Sequence, residues 1–87
     1  KIHLSEIDMF EAYGNYVKVW QGEKALLASS TLKYIVQEID TSFIQVHKSY
    51  VINKNKVVTL SNESIQLSSG VSVKIGKSYK QLVRDII

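Results

Sequence analysis

Apolar and polar positions along this chain repeat mostly at the two-residue spacing of a β-strand. Ser64-Ile65-Gln66-Leu67 alternates cleanly, and Val71, Val73 and Ile75 share one face of segment 71–75, which Gly76 ends. Phe43 to His47, Ser49 to Ile52 and Val57 to Leu60 read as further strands. Polar turns at Asn53-Lys54-Asn55-Lys56, Ser61-Asn62-Glu63 and Ser68-Ser69-Gly70 separate them. Nearer the start, Phe10 and Ala12 on one side and Tyr16 to Trp20 on the other flank Tyr13-Gly14-Asn15, the pattern of a β-hairpin. Gln21-Gly22-Glu23-Lys24 turns the chain into another strand at Ala25 to Ala28. Ile2-His3-Leu4 reads as a short first strand, and Ser5-Glu6-Ile7 as a single helical turn.

Two segments change period. Leu32, Ile35, Val36 and Ile39 recur at three and four, on one helical face. Ser29, Ser30 and Thr31 offer a hydroxyl to cap that helix, which the spacing places at about Thr31 to Ile39. Tyr79, Leu82, Val83 and Ile86 mark a second helix from about Ser78 to Ile87, with Lys77, Lys80, Gln81 and Arg84 off its apolar stripe. The expected fold is therefore mainly β, with one short central helix and a C-terminal helix. Phe10, Trp20, Phe43 and Tyr50 are the expected core aromatics.

At 87 residues, 45% hydrophobic and 22% charged, the chain fits one globular domain and is too apolar for wholesale disorder. It has no internal repeat, low-complexity stretch or linker, and no proline. Cysteine is absent, which excludes a disulfide frame and any thiolate nucleophile or metal ligand, and suits a reducing compartment. The longest apolar run, Ala25 to Ala28, falls far short of the roughly 20 residues of a membrane helix. No signal peptide is visible, and the start at Lys1 reads as a piece excised from a longer chain.

Charge changes the picture. Residues 1–46 carry Lys1, Lys18, Lys24 and Lys33 against Glu6, Asp8, Glu11, Glu23, Glu38 and Asp40, a net of −2. Residues 47–87 carry Lys48, Lys54, Lys56, Lys74, Lys77, Lys80 and Arg84 against Glu63 and Asp85, a net of +5. A basic half favours a polyanionic partner such as nucleic acid, although lysines also decorate ordinary solvated surfaces.

Catalytic patterns are missing. His3 and His47 stand in no metal-ligand spacing, and no G-x-S-x-G or phosphate-binding glycine loop occurs. Asp8 and Glu11, three apart in a strand, would face opposite sides of the sheet. No enzyme, cofactor, metal or small-molecule substrate is implied. A helix-turn-helix is excluded too, because several strands separate the two helical patterns. Two alternatives stay open: a peptide-binding β module with an aromatic groove, and a single-strand binder that stacks bases on Tyr13, Tyr16 and Trp20.

Two basic corners are the sharpest candidates. His47-Lys48-Ser49 interrupts two strands, so its polar side chains can point outward together. Lys48 can donate to a phosphate or to guanine O6 and N7, and Ser49 can add a phosphate contact. His47 either orients the corner through hydrogen bonds or meets a phosphate itself. In the second corner, Lys77 and Ser78 stand where a strand ends and a helix begins, near backbone N–H groups that favour phosphate. Ser78 can equally serve as the helix cap.

Four segments, in order, resemble the LytTR (LytR/AlgR-type) DNA-binding domains of bacterial transcription regulators. They are Ile7-Asp-Met-Phe-Glu-Ala-Tyr-Gly-Asn-Tyr-Val-Lys-Val19, Ser30-Thr-Leu-Lys33, Phe43-Ile-Gln-Val-His-Lys-Ser-Tyr-Val-Ile-Asn53 and Val73-Lys-Ile-Gly-Lys-Ser-Tyr79. The third is the most specific, matching F-x-x-x-H-[R/K]-S-[Y/F]-[V/I]-[V/I]-N. The resemblance implies an elongated fold of about ten short strands in three antiparallel sheets, with minor helix. It implies double-stranded DNA met by loops in successive major grooves, on promoter sites that are often direct repeats. It further implies a cytoplasmic regulator that self-associates on such repeats, commonly behind a receiver domain in the full-length chain. Carried onto this sequence, Asn15, Tyr16 and Lys18 would touch DNA from the first hairpin, Lys48 with Ser49 from the second corner, and Lys77 with Ser78 from the third. Lys48 and Lys77 would be the base readers. Lys54 and Lys80 are phosphate candidates from charge alone. Both reader positions often hold Arg in the family. Lysine lacks the planar fork, so guanine readout would be less sharp. Gly76 stands where a hydroxyl residue is common, which removes one phosphate contact.

Overall fold

The computed structural model describes residues 3–87. The chain opens on a 3-10 turn at Leu4–Glu6, then forms strands β1 (Met9–Tyr13), β2 (Tyr16–Gln21) and β3 (Lys24–Ala28). Helix α1 (Leu32–Glu38) follows, then β4 (Phe43–His47) and β5 (Tyr50–Asn53). A 3-10 turn at Lys54–Lys56 leads to β6 (Val57–Leu60), β7 (Ser64–Leu67) and β8 (Ser72–Lys74). A last 3-10 turn, Lys77–Tyr79, runs into helix α2 (Lys80–Ile86).

The strands pair into two antiparallel sheets, one of five in the order β3-β2-β1-β5-β4 and one of three in the order β6-β7-β8. The five-stranded sheet is covered on both faces along β4, β5 and the start of β1, which is why Met9-Phe10, Phe43-Ile44 and Val51-Ile52 are consecutive apolar pairs, whereas Leu26 and Leu27 of β3 are exposed. Neighbouring residues of a strand face opposite sides. Met9, Ile44, Val46 and Ile52 therefore pack against Ile65, Leu67, Val73 and Ile75 of the small sheet and its end, and against Val83 of α2. Phe10, Val17, Phe43 and Val51 face the other way, onto Ile7 and Leu32, with Ile35 and Ile39 of α1 at the margin.

Helix α1 begins as its sequence requires. Thr31 caps it, its Oγ1 accepting the Tyr34 N–H at 3.1 Å. Asn53 ties the base of the large sheet together while buried. Its Nδ2 donates to the Ile7 carbonyl and its Oδ1 accepts from the Asn55 N–H, both at 2.9 Å. The end of segment 50–53 is thus strand, not the start of a turn.

Several expectations need correction. Eight strands in two sheets are formed among the described residues, rather than about ten in three. Leu4 belongs to a 3-10 turn, so the expected first strand is not formed there, and Ile2 lies outside the described residues. Strand β8 is shorter than 71–75, and Val71 is exposed beyond it. Val36 of α1 and Leu82 and Ile86 of α2 also face outward. These helices are seven residues each, about two turns, so each has room for few core-facing side chains. Phe10 and Phe43 are buried as expected, whereas Trp20 and Tyr50 are half-buried at the edge of the core. The domain is longer along one axis, 32 × 23 × 22 Å.

Candidate nucleic-acid interface

The strand directions set which turns lie together. β1 runs toward Tyr13 and β5 starts at Tyr50, and they pair antiparallel with Glu11 opposite Tyr50. The tip of the first hairpin and the Lys48-Ser49 turn therefore emerge from the same end of the sheet. Two strand spacings separate their centres, about 10 Å. The Ala12 N–H donates to the Ser49 carbonyl at 2.9 Å, which fixes them to each other. The third corner joins them through Gly76, whose N–H donates to the Val46 carbonyl at 2.7 Å. Asn15, Tyr16, Lys18, His47, Lys48, Ser49, Lys77 and Ser78 are thus carried by three adjoining corners at one end of the domain.

Each corner has a local cause. In the first, Tyr13 pairs with Tyr16 around Gly14-Asn15, and Gly14 takes the φ of 59° that a side chain resists. Asn15 and Tyr16 are exposed at the tip. Lys18 stands on β2 with its Nζ 4.0 Å from the centre of the Tyr13 ring, a cation–π contact that holds the ammonium near the tip. Trp20 is committed elsewhere, its Nε1 donating to Glu11 Oε1 at 2.9 Å.

In the second corner, a two-residue turn, Lys48-Ser49, joins His47 to Tyr50, with a register shift between Gln45 and His47. His47 Nδ1 accepts the Ser49 N–H at 3.1 Å, and its ring lies 4.9 Å from that of Tyr50. An imidazole whose Nδ1 accepts carries its proton on Nε2 when neutral, leaving that N–H as a donor. Of the two readings of His47, the orienting one is therefore present in the structure. Gln45 supports it by donating from Nε2 to the His47 carbonyl at 3.2 Å. Lys48 is exposed at the apex.

In the third corner, Lys77 and Ser78 lie in the 3-10 turn and are both exposed. Ser78 is not a helix cap: α2 begins at Lys80, and no side chain caps it. Gly76 has an extended φ of −67°, so backbone strain does not explain it. Its surroundings do. A Cβ there would stand 2.9 Å from Tyr79 Cδ1 and 3.3 Å from His47 Cα. The sequence reading missed this contact, because nothing in local spacing shows that residue 76 meets residue 47.

Two phosphate candidates sit differently. Lys54 follows the last residue of β5 and donates its N–H to the Ser42 carbonyl at 2.7 Å, at the opposite end of the β4–β5 hairpin. Four strand residues, about 13 Å, separate it from the Lys48 corner. Lys80 is paired, its Nζ donating to Glu63 Oε2 at 2.9 Å. That hydrogen bond first, and the Lys80 charge second, hold the Glu63 carboxyl below its usual range. A depressed carboxylate stabilises the fold above its unfolded pKa, and this support is lost as pH falls through the folded one. Glu63 is fully exposed, so the pair is screened by water and salt.

Asp8 is a structural carboxylate: buried, it accepts the Gly22 N–H at 2.7 Å and lies 3.8 Å from Lys56. Among the described residues no group of three or more His, Asp or Glu side chains is placed to hold a metal ion, and no helix is long and apolar enough to cross a membrane.

The LytTr DNA-binding domain family model matches residues 1–87. Among solved structures, one similar chain is the LytTr DNA-binding domain from Bacillus cereus, described as part of a methyl-accepting/DNA response regulator. It is 20% identical, with a TM-score of 0.89 over 98% of this chain and 84% of that one. No curated protein matches. With the family model spanning the full sequence, the chain belongs to the LytTr family of DNA-binding domains.

Proposed function

We propose that this domain binds double-stranded DNA sequence-specifically to regulate transcription, with its three corners entering successive major grooves of promoter repeats. The observation that carries the reading is the gathering of Lys18, Lys48 and Lys77 at one end of the sheet, two of them exposed at turn apices. Exposed lysines on short, braced turns can enter a groove that a flat sheet cannot. Phosphate contacts would supply most of the affinity, and Lys48 and Lys77 the discrimination. Asn15, Tyr16, Ser49 and Ser78 flank the readers, and the Nε2–H of His47 is free to meet a phosphate. Self-association on direct repeats, a receiver domain in the full-length chain and action in the cytoplasm complete the proposal.

The single-strand alternative loses ground on geometry. Trp20 is half-buried and bonded to Glu11, and Lys18 covers one face of Tyr13. Titration of labelled duplex and single strand of the same sequence, at several salt concentrations, tests the choice. The duplex is expected to bind more tightly, with a log–log salt slope of about −0.9 per phosphate contacted. Preference for the single strand, with quenched tryptophan fluorescence, or salt-insensitive binding to a polypeptide would contradict the proposal.

Two variants separate the lysines. Lys54→Ala should leave the salt slope nearly unchanged, because Lys54 lies away from the corners. A slope reduced by about one would place it on a phosphate. Glu63→Gln should release Lys80 and tighten binding to duplexes of any sequence by about two- to fivefold, the range of an exposed ion pair. Unchanged affinity would mean that Lys80 does not face DNA.

A further inference from the structure

The corner that carries Lys48 and the corner that carries Lys77 come from different sheets and are 29 residues apart in sequence, yet they are built against each other. The Gly76 N–H is bonded to the Val46 carbonyl at 2.7 Å, one residue before His47. The absent side chain of Gly76 leaves the His47 backbone and ring to fill that space. His47 in turn holds the Lys48-Ser49 turn through its Nδ1 and rests on Tyr50. On the other side, Tyr79 packs against the same spot and against the core, and its N–H donates to the Gly76 carbonyl at 2.9 Å. One residue, His47, thus touches the turn that presents Lys48 and the glycine that begins the turn presenting Lys77.

We propose that Gly76 is a positioning residue that joins the two corners through His47, so that Lys48 and Lys77 read their bases as one unit at a fixed spacing. This rests on the assignment of both lysines as base readers. The geometry makes Gly76 the sensitive point. Its φ suits any residue, so Ala is allowed by the backbone. An added Cβ at 2.9 Å from Tyr79 Cδ1 must displace that ring, and at 3.3 Å from the His47 Cα it presses the third corner and β4 apart by a few tenths of an ångström. The displacement acts between the two readers without removing either one.

The test measures affinity for a target duplex and for its single-base variants. Lys48→Ala and Lys77→Ala first identify the base positions that depend on each lysine. Wild-type penalties for a wrong base are commonly about 5- to 150-fold. Gly76→Ala is expected to shrink the penalties at both sets of positions severalfold, while binding to non-specific duplex stays within about twofold of wild type. Loss of discrimination at the Lys77 positions alone, or at neither, overturns the joint. A second measurement uses the wild-type protein, so it does not depend on the variant folding. One base pair is inserted into the target between the two sets of positions. A rigidly joined reader loses as much affinity as when either lysine is removed, whereas tolerance of the insertion within about twofold overturns the proposal. If Lys48→Ala and Lys77→Ala cost nothing at the target, the reader assignment itself fails and takes the joint with it.

Discussion

Phe43→Ala is expected to lower the stability of the domain by about 3–5 kcal/mol, without altering the DNA-facing corners directly. Phe43 is the first residue of β4 and is buried against Phe10, ring centres 5.4 Å apart. It belongs to the cluster that seats α1 on the large sheet, together with Ile7, Val17, Leu32 and Val51. Truncation removes an aromatic ring from a close-packed interior and leaves a cavity that a strand packed on both faces cannot collapse to fill. For a domain of this size the loss is a large part of the total stability. Chemical denaturation of both proteins measures it. A loss below about 1 kcal/mol would show that Phe43 is not a core residue. A variant that stayed fully folded but lost DNA would make it a contact.

Lys48→Ala is expected to cost about 1–3 kcal/mol at the target duplex, as for a lost base contact, with no loss of stability. Lys48 is exposed and makes no hydrogen bond or ion pair with a described residue, so its removal leaves nothing buried unpaired. The turn that carries it is held by backbone and histidine: His47 Nδ1 accepts the Ser49 N–H, and the Ser49 carbonyl accepts the Ala12 N–H. That bracing does not involve the lysine side chain, so the corner should keep its shape. Binding to the target and to an unrelated duplex, compared with a thermal melt, measures all three quantities. Equal losses on both duplexes would make Lys48 a phosphate contact, and no loss on either would remove it from the interface.

Much of this was legible in the sequence where the signal is local. Two-residue alternation located the strands because the small sheet has one face on the core, as in Ile65 and Leu67 against exposed Gln66. The hydroxyls of Ser29, Ser30 and Thr31 placed the start of α1, because capping is settled within one turn of the chain, and Thr31 is the one that caps. The segment 43–53 announced a corner because three polar residues interrupt two apolar runs. The local turns at Ser5-Glu6-Ile7 and 53–56 were legible too, and the structure closes them as 3-10 turns at Leu4–Glu6 and Lys54–Lys56. What remained hidden is non-local. Lys54 and Lys48 look alike in sequence as lysines beside a strand, and only the antiparallel path of β5 sends them to opposite ends. Lys80 looked free until Glu63, 17 residues earlier, was placed beside it. Gly76 read as a strand breaker, whereas its role comes from the closeness of His47 and Tyr79.

The central claim is sequence-specific reading of duplex DNA by the three corners. Selection of this domain against a pool of random duplexes, read by sequencing, tests it most directly. The account predicts an enriched motif, repeated at about one helical turn where two copies bind together, and loss of that motif's preferred bases with Lys48→Ala and Lys77→Ala. Weak, salt-sensitive binding with no enriched sequence would contradict it, and would leave only a basic surface with no reader.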